Sequence, residues 1–186
     1  MGELGWEILV PAQRATTVFD AIIAAGAPHG ITLAGYHAMA SLRIEKAYRH
    51  WGHDVTPDET PFEAGLAFCI AWDKRGGFIG RDALLARRAT APRTRLVQFL
   101  LRDATSLLYH DEPIWRDGKR VGRITSGMYG HTLGGAVGLG YVDLGAPNPA
   151  EAFEAGRYEL EVAGTMVPAT ASLRPLYDPA SKRARS

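Results

Sequence analysis

The sequence predicts an α+β protein in which an α/β part is followed by a small antiparallel β-barrel. Two stretches in the first half, residues 13–25 and 35–51, repeat apolar side chains every three to four positions, as amphipathic helices do. The second half contains short apolar stretches separated by turn dipeptides, including Asp117-Gly118 and Ala163-Gly164, which is typical of β-hairpins.

The composition changes near Pro92, and this change predicts two domains, at residues 1–91 and 92–186. In the first domain we expect a strand, two helices, a second strand and a short helix, in that order. The segments are 6–10, 13–25 (with Gly26 after the helix), 35–51, 62–72 and 80–88. The strand over residues 62–72 is expected to be largely buried because most of its side chains are apolar.

The second domain should consist of five or six short strands. They are predicted at residues 96–101, 113–116, 119–122, 136–142, 158–162 and 165–171. Gly138 and Gly140 lie inside one of these strands, which indicates a bulge or a close approach of another backbone.

Composition excludes several classes of function. The chain has 186 residues with 21 basic and 20 acidic side chains, so no general basic surface for nucleic acid exists beyond residues 182–185. A membrane-spanning helix needs about 20 apolar residues, and the best run, residues 18–25, is interrupted by Asp20. With Cys69 as the one cysteine, no internal disulfide can form, and we expect a reducing compartment such as the cytoplasm.

Glu7 and the pair His50 and His53 are the first candidates for a functional role. Glu7 could accept paired N–H donors from an amino-heterocycle, but the pattern alone favours a solvent-facing position on a strand. His50, His53 and the adjacent Asp54 fall short of the convergent ligands that a metal site needs. We therefore expect helix capping and loop hydrogen bonds there, and no metal site.

The remaining candidates identify no reaction by themselves. Cys69 lies in an apolar run and is expected to be a buried, inert thiol. Ser126 lacks the surrounding pattern of a nucleophilic serine. Arg43 and Glu45 could form a buried polar pair or lie on the surface, and periodicity leaves both alternatives open. The catalytic residues are thus unknown from the residue pattern.

Six stretches taken in order resemble one known family. They are Gly-Glu-Leu-Gly-Trp-Glu-Ile at 2–8, Leu-Arg-Ile-Glu-Lys at 42–46, Trp-Gly-His-Asp at 51–54, Thr-Pro-Phe-Glu-Ala-Gly-Leu at 60–66, Phe-Ile-Gly-Arg-Asp-Ala-Leu at 78–84, and Gly-Arg-Ile-Thr-Ser-Gly at 122–127 followed by Thr132 and Leu133. Together they resemble the C-terminal half of the glycine-cleavage T-protein family of tetrahydrofolate-dependent aminomethyltransferases. The variants at 44–46 and 51–54 are most similar to the folate modules of dimethylglycine and sarcosine dehydrogenases.

This resemblance implies a partial folate-binding α/β domain followed by the family's β-barrel. It also implies that Glu7 binds the pterin ring of tetrahydrofolate and that Tyr177 lies at the folate site. The family's folate-contacting arginine is replaced here by Met39, while Arg43 matches a second arginine with a structural role. The first half of the folate domain, with its reactive-site aspartate, and any FAD-binding region are expected to lie outside this chain.

Two functional hypotheses follow from the resemblance. In the first, the chain is part of an aminomethyltransferase or a dimethylglycine or sarcosine dehydrogenase-like protein. That protein transfers a one-carbon unit from a small amine-derived substrate to tetrahydrofolate, and this chain alone is inactive. In the second, the chain is a non-enzymatic folate-binding or structural module completed by a partner chain or a second copy of itself. Neither hypothesis involves nucleic acid or a membrane.

Overall fold

The computed structural model describes residues 5–183 and 185, and it contains three α-helices and six β-strands within them. The helices are α1 (Ala15–Gly26), α2 (Tyr36–Glu45) and α3 (Arg81–Arg88), all in the first half of the chain. Short 3-10 turns cover Ala12–Arg14, Ala27–His29, Ala67–Cys69 and Ala150–Phe153. None of the described helices is long and apolar enough to cross a bilayer.

The six strands close into an antiparallel barrel, as the family resemblance predicts. The strands are β1 (Thr94–Leu101), β2 (Pro113–Arg116), β3 (Lys119–Gly130), β4 (Gly135–Asp143), β5 (Tyr158–Val162) and β6 (Thr165–Ser172). Their order around the barrel is β1-β4-β3-β2-β5-β6. Closure leaves no strand edge unpaired, and the fully buried Phe99, Ile114 and Ile124 belong to the core inside it.

Both predicted hairpins form, and their turns lie at the dipeptides that the sequence indicates. Asp117 and Gly118 have φ of 52° and 78°, and Ala163 and Gly164 have φ of 49° and 80°. Two consecutive residues with positive φ define the turn whose twist matches that of paired strands. Gly140 is the predicted close approach, because a Cβ there would lie 2.6 Å from the carbonyl oxygen of Arg123.

The helix predicted over residues 35–51 ends earlier, at Glu45. Ala47 adopts φ of 53°, and the amide of Tyr48 donates to the carbonyl oxygen of Arg43 at 2.8 Å, which is the geometry of a left-handed helix stop. The buried Gln98 of β1 also donates from Nε2 to the carbonyl oxygens of Ile44 and Glu45. The stop was missed because it uses alanine where glycine is the usual signal.

The two strands predicted in the first half are wrong. Residues 5–11 form neither helix nor strand, and residues 62–72 form turns and a 3-10 turn. A strand requires a neighbour to accept and donate its backbone hydrogen bonds. Within the described residues no strand pairs with either segment, although the amide of Leu96 on β1 donates to the carbonyl oxygen of Glu63. The 62–72 segment is also poorly buried: Phe68 is 81% exposed, and Cys69 is exposed rather than buried as expected.

Helix α2 packs against the barrel through a second apolar cluster. Ile44 and Ala47 contact Leu96, Val137 and Leu139 of β1 and β4. The hydroxyl of Ser41 also donates to the carbonyl oxygen of Tyr129 on β3 at 2.6 Å. These contacts fix α2 across β3 and β4 and create the edge at which the candidate site lies.

Candidate functional site

A buried ion pair connects α2 to the loop that follows it, and each partner also forms a hydrogen bond with β3. Arg43 donates from Nη1 to Oδ2 of Asp54 at 2.8 Å and from Nη2 to the hydroxyl of Ser126 at 2.8 Å. The Asp54 side chain is fully buried and also accepts from the amide of His50 and the hydroxyl of Thr125. The open question about Arg43 is thereby answered, because its partner is Asp54 and not Glu45.

The position of Thr125 depends on a β-bulge. The pairing of β3 with β4 shifts between Ile124 and Ser126, so that Thr125 is the additional residue in β3. Its hydroxyl donates to Oδ1 of Asp54 at 2.5 Å. A bulge redirects a side chain that regular alternation would place elsewhere, and here it links the barrel to the loop after α2.

Tyr141 of β4 completes this network on its other side. Its hydroxyl donates to the backbone carbonyl oxygen of Asp54 at 2.9 Å. Burial, together with the nearby carboxylates of Glu59 and Asp54, raises the pKa of Tyr141. The phenol therefore stays protonated and serves as a hydrogen-bond donor to the loop.

A cavity of about 360 Å³ lies beside this network, between α2 and β3. Its walls contain aromatic and apolar side chains, notably Tyr36, Tyr48, Tyr109, Met39 and Met128. Six basic side chains complete the walls: His37, Arg43, Arg49, His50, His53 and His110. An apolar pocket with a few convergent polar groups is the usual form of a small-molecule site.

A second cavity, of about 540 Å³, is lined by residues of the barrel and the segments that flank it, among them Arg93, Arg120 and Asp143. Arg93 and Asp143 already form an exposed bidentate pair there. The smaller cavity is the stronger candidate because both halves of the chain contribute to it and because it has the larger share of apolar wall.

The structure brings together His50 and His53 but gives them no metal-ligand geometry. Their rings stack with centroids 4.7 Å apart and an interplanar angle of 13°. The carboxylate of the neighbouring Asp54 is occupied by Arg43 and Thr125. Within the described part of the chain, no three His, Cys, Asp or Glu side chains are placed to hold a metal ion.

Glu45 and Lys46 are two buried charged residues whose roles sequence reasoning missed. Oε1 of Glu45 accepts from the amides of Thr132 and Leu133 and so holds the turn between β3 and β4. Lys46 donates from Nζ to the carbonyl oxygen and the carboxylate of Asp178. Their adjacency to Arg43 in the 42–46 stretch was the available signal, but periodicity cannot show which distant segments they reach.

Tyr177 lies in the segment that Lys46 holds. It is half-buried, its amide donates to the carbonyl oxygen of Glu45, and its hydroxyl accepts from Arg183 at 2.7 Å. The Lys46 ammonium lies 6.0 Å from the ring centroids of both Tyr177 and Tyr48. Tyr48 lines the cavity and Tyr177 does not, so Lys46 connects Tyr177 to the cavity wall.

Glu7 lies apart from this arrangement. It is exposed in the irregular segment 5–11 and is not among the residues that line the cavity between α2 and β3. Residues 2–4 of its motif lie outside the described residues. Its contact with a pterin ring stays a prediction.

Comparison with known families agrees with this two-part architecture. Residues 1–74 match the GCVT N-terminal domain, and residues 94–178 match the glycine cleavage T-protein C-terminal barrel domain. A solved structure of glycine cleavage system aminomethyltransferase T from Bartonella henselae has the same fold, with a TM-score of 0.76 at 23% identity. The match covers 91% of this chain and 45% of that one.

Curated relatives match over a limited part of their own length. The chain is 46% identical to 4-methylaminobutanoate oxidase (formaldehyde-forming) of Paenarthrobacter nicotinovorans and 40% identical to human mitochondrial sarcosine dehydrogenase. Each match covers all of this chain but 22% and 20% of those proteins. Aminomethyltransferase of Halothermothrix orenii is 36% identical over 81% of this chain and 42% of its own length.

The two matched domains together span most of the sequence, and the dehydrogenase and oxidase relatives match it over their T-protein part. The chain therefore belongs to the glycine-cleavage T-protein family and corresponds to the T-protein region of the sarcosine and dimethylglycine dehydrogenases.

Proposed function

We propose that this chain forms the C-terminal part of a tetrahydrofolate-binding module that accepts a one-carbon unit from a small amine-derived substrate. The observation that supports the proposal most strongly is the cavity between α2 and β3. One wall comes from the GCVT N-terminal domain and the other from the barrel domain, and the lining combines three tyrosines with basic groups. Such a lining suits a ligand with aromatic rings and carboxylates.

The residues present fit a part of tetrahydrofolate. A cavity of about 360 Å³ is at the lower end of ligand pockets, which range from about 300 to 1,000 Å³, so other groups must bind the rest of the cofactor. Glu7 would accept hydrogen bonds from the amino edge of the pterin, and Tyr177 would contact the cofactor near the cavity wall. Bound tetrahydrofolate supplies the nitrogen nucleophile that accepts the one-carbon unit.

The contribution of the protein in this proposal is positioning. The apolar walls exclude water, and the Arg43–Asp54 pair, through its hydrogen bonds to Ser126 and Thr125, keeps α2 and β3 at a fixed separation. Holding two reactants in a productive orientation removes much of the entropic cost of their reaction. FAD belongs to the proposal only in a polypeptide that carries a dehydrogenase region as well.

Titration of the chain with tetrahydrofolate tests the proposal. We expect saturable binding, which calorimetry detects, and a Glu7→Ala variant that binds at least about tenfold more weakly, because a charge-assisted hydrogen-bond pair is lost. Glu151→Ala is the matched control, since it removes an exposed carboxylate from the barrel half. Absence of binding by the wild type, or equal affinity of the Glu7 and Glu151 variants, contradicts the proposal.

A specific observation supports the second hypothesis, a module completed by another polypeptide. None of residues 5–40 is buried, and the large apolar side chains of Trp6, Leu9, Leu33 and Tyr36 are each at least 67% exposed. Where such side chains adjoin one another, they usually mark an interaction site. In this alternative the chain turns over no substrate alone and binds folate only in complex with its partner.

Sedimentation at several concentrations separates the two hypotheses. A chain that stays monomeric and binds tetrahydrofolate supports the first. A chain that self-associates, and that binds tetrahydrofolate only when associated, supports the second. Formation of methylene-tetrahydrofolate by the purified chain at ordinary enzyme rates contradicts both.

A further inference from the structure

The second cavity, of about 540 Å³, lies where three neighbouring strands of the barrel end, and is called the barrel-end cavity below. Thr94 at the start of β1 pairs with Asp143 at the end of β4. Val142 of β4 pairs in turn with Gly122 near the start of β3. Among the described residues, this cavity shares none of its lining with the cavity between α2 and β3.

Positive charge exceeds negative charge on the walls of the barrel-end cavity. The charged residues among its described lining are Arg93, Arg120, Arg123 and Asp143. One carboxylate therefore accompanies three guanidiniums, whereas the whole chain has 20 acidic and 21 basic side chains. A concave surface with an excess of one charge attracts ligands of the opposite charge, so this lining favours an anion.

Two of the three arginines are held in place by carboxylates. Arg93 donates from Nε and Nη2 to the two carboxylate oxygens of Asp143, at 2.8 and 2.6 Å. Arg123 donates from Nη1 to Oδ1 of Asp111 at 2.6 Å. A guanidinium has five N–H groups, so both arginines keep donors that a ligand can use. Because these side chains are already ordered, they lose less conformational entropy on binding.

Arg120 supplies a charge that the protein leaves without a partner. Within residues 5–183 and 185, its side chain forms no hydrogen bond and no ion pair. An unpaired arginine is common at a protein surface. Arg120 differs from such an arginine because it lines a cavity beside two guanidiniums that carboxylates hold in place.

A β-bulge explains why Arg120 and Arg123 line the same cavity. They are three positions apart, which in a regular strand places two side chains on opposite faces. The pairing of β2 with β3 shifts between Ile114 and Trp115, so that Val121 is the additional residue in β3. A bulge redirects the side chains beside it, and this one lies between the two arginines.

An apolar cavity adjoins the barrel-end cavity at Arg93, which lines both. Its volume is about 400 Å³, and Arg87 contributes a further positive charge to it. Its apolar lining comes from α3, from the segment before β1 and from two turns: Phe62, Ala86, Ala91, Pro92 and Pro147. A ligand whose anionic group lies among the three arginines can therefore place a ring or another apolar group in this second cavity.

We propose that the barrel-end cavity binds the phosphate group of a phosphate monoester and that the adjoining apolar cavity holds the organic part. A phosphate group presents three acceptor oxygens in different directions. This arrangement suits three separate arginines better than the two coplanar oxygens of a carboxylate, and arginine binds phosphate through paired N–H donors. The inference goes beyond the proposed function, because neither cavity belongs to the site between α2 and β3.

Calorimetric titration of the chain with phenyl phosphate tests the inference. We expect saturable binding that weakens when NaCl is raised from about 0.05 M to about 0.5 M, because salt screens charges at a cavity open to solvent. Inorganic phosphate should bind more weakly, since it lacks the ring that contacts the apolar cavity. Benzoate, the carboxylate probe, should bind at least about threefold more weakly than phenyl phosphate.

The Arg120→Gln variant should bind phenyl phosphate about fivefold more weakly, as expected for the loss of one exposed charge pair. Arg102→Gln is the matched control, because it removes an exposed arginine at the other end of β1, about 30 Å from Arg93 along an extended strand. It should keep the wild-type affinity. Both variants should bind tetrahydrofolate as the wild type does.

NMR spectra provide a second measurement that needs no variant. The amide signals of Gly122 and Gly145, which line the barrel-end cavity, should shift on addition of phenyl phosphate. The amide signal of Gly164, in the turn between β5 and β6, should stay unchanged.

The inference is wrong if the folded wild type does not bind phenyl phosphate at low salt, if benzoate binds as tightly, or if Arg120→Gln keeps the wild-type affinity. It is also wrong if tetrahydrofolate displaces phenyl phosphate, because the probe would then occupy the site between α2 and β3. The titration with tetrahydrofolate alone tests the proposed function independently of these results.

Discussion

At the scale of single residues, the Arg43–Asp54 pair is the interaction on which the site depends most. Its side chains are 11% and 0% exposed, and Asp54 also holds His50 and Thr125 in place. Removal of one charge from a buried pair costs about 3 to 5 kcal/mol, because the other charge is left buried without a partner. We expect a loss of that order in the free energy of unfolding of Asp54→Asn, measured with urea.

The matched control for that variant is Asp143→Asn. Asp143 pairs with Arg93 at the barrel surface, where the side chains are 38% and 61% exposed. Water screens an exposed pair, so this variant should lose much less stability. Equal losses in the two variants would show that burial of the Arg43–Asp54 pair has no energetic consequence.

The buried Tyr158 makes the free energy of unfolding depend on pH. Burial raises its pKa to about 12, and its hydroxyl donates to the carbonyl oxygen of Phe153. An unfolded tyrosine titrates near 10, so between about pH 10 and pH 12 the unfolded chain loses this proton first. The contribution of Tyr158 to the free energy of unfolding is complete below pH 10 and is lost as the pH rises towards 12.

Urea unfolding at about pH 8 and pH 11 measures this effect. The Tyr158→Phe variant should lose about 1 kcal/mol at pH 8, through the missing hydrogen bond, and should then depend less on pH than the wild type. Tyr109→Phe removes an exposed phenol and should leave the pH dependence unchanged. If the free energy of unfolding falls equally between these pH values in the wild type and in Tyr158→Phe, the account is wrong.

At the scale of elements, the close contact of β3 with β4 depends on Gly140. A Cβ there would lie 2.6 Å from the backbone oxygen of Arg123 and 2.7 Å from Ile114. The strands must separate to admit it, and such overpacking costs about 1 to 3 kcal/mol. We expect the Gly140→Ala variant to lose that much in thermal or urea unfolding.

Gly35→Ala is the control for that strand contact. A Cβ at Gly35 meets no atom within 4 Å, and Gly35 has a φ of −81° that alanine adopts readily. Because Gly35 is the N-cap of α2, where glycine is preferred over alanine, this variant should lose about 1 kcal/mol or less. If Gly35→Ala loses as much stability as Gly140→Ala, the close contact of β3 with β4 is not the cause of the loss in Gly140→Ala.

Sequence patterns predicted the elements whose signals are local. Asp117-Gly118 and Ala163-Gly164 specify their turns through two residues each, and both hairpins form where expected. The end of α2 lies earlier than predicted for two reasons: Ala47 adopts the left-handed conformation usually taken by glycine, and Nε2 of the distant Gln98 donates to the last carbonyl oxygens of the helix. The 62–72 stretch has strand-like composition, but no strand of the described chain pairs with it.

At the scale of the whole molecule, the resemblance identified the family, while the cavity required coordinates. The sequence predicts helix capping and loop hydrogen bonds for His50 and His53, since spacing does not show that the distant His110 lies at the same cavity. The bulge at Thr125 and the contact of Lys46 with Asp178 are long-range features. Periodicity along one segment contains no information about them.

The two halves of the molecule differ in burial, which predicts a difference in local stability. No residue of α1 is buried, whereas β1 has five buried residues and β4 has seven. Amides in α1 should therefore exchange with deuterium far faster than those of β1 and β4, because local opening exposes little apolar surface. Equal protection would mean that α1 is covered, as self-association would cause.

The central claim is that tetrahydrofolate binds between α2 and β3, and hydrogen exchange with and without tetrahydrofolate tests it most directly. We predict slower exchange in α2, in residues 48–53 and around the Thr125 bulge, with residues 5–10 protected as well if Glu7 binds the pterin. Unchanged exchange in all of these segments at a saturating concentration of tetrahydrofolate would contradict the account.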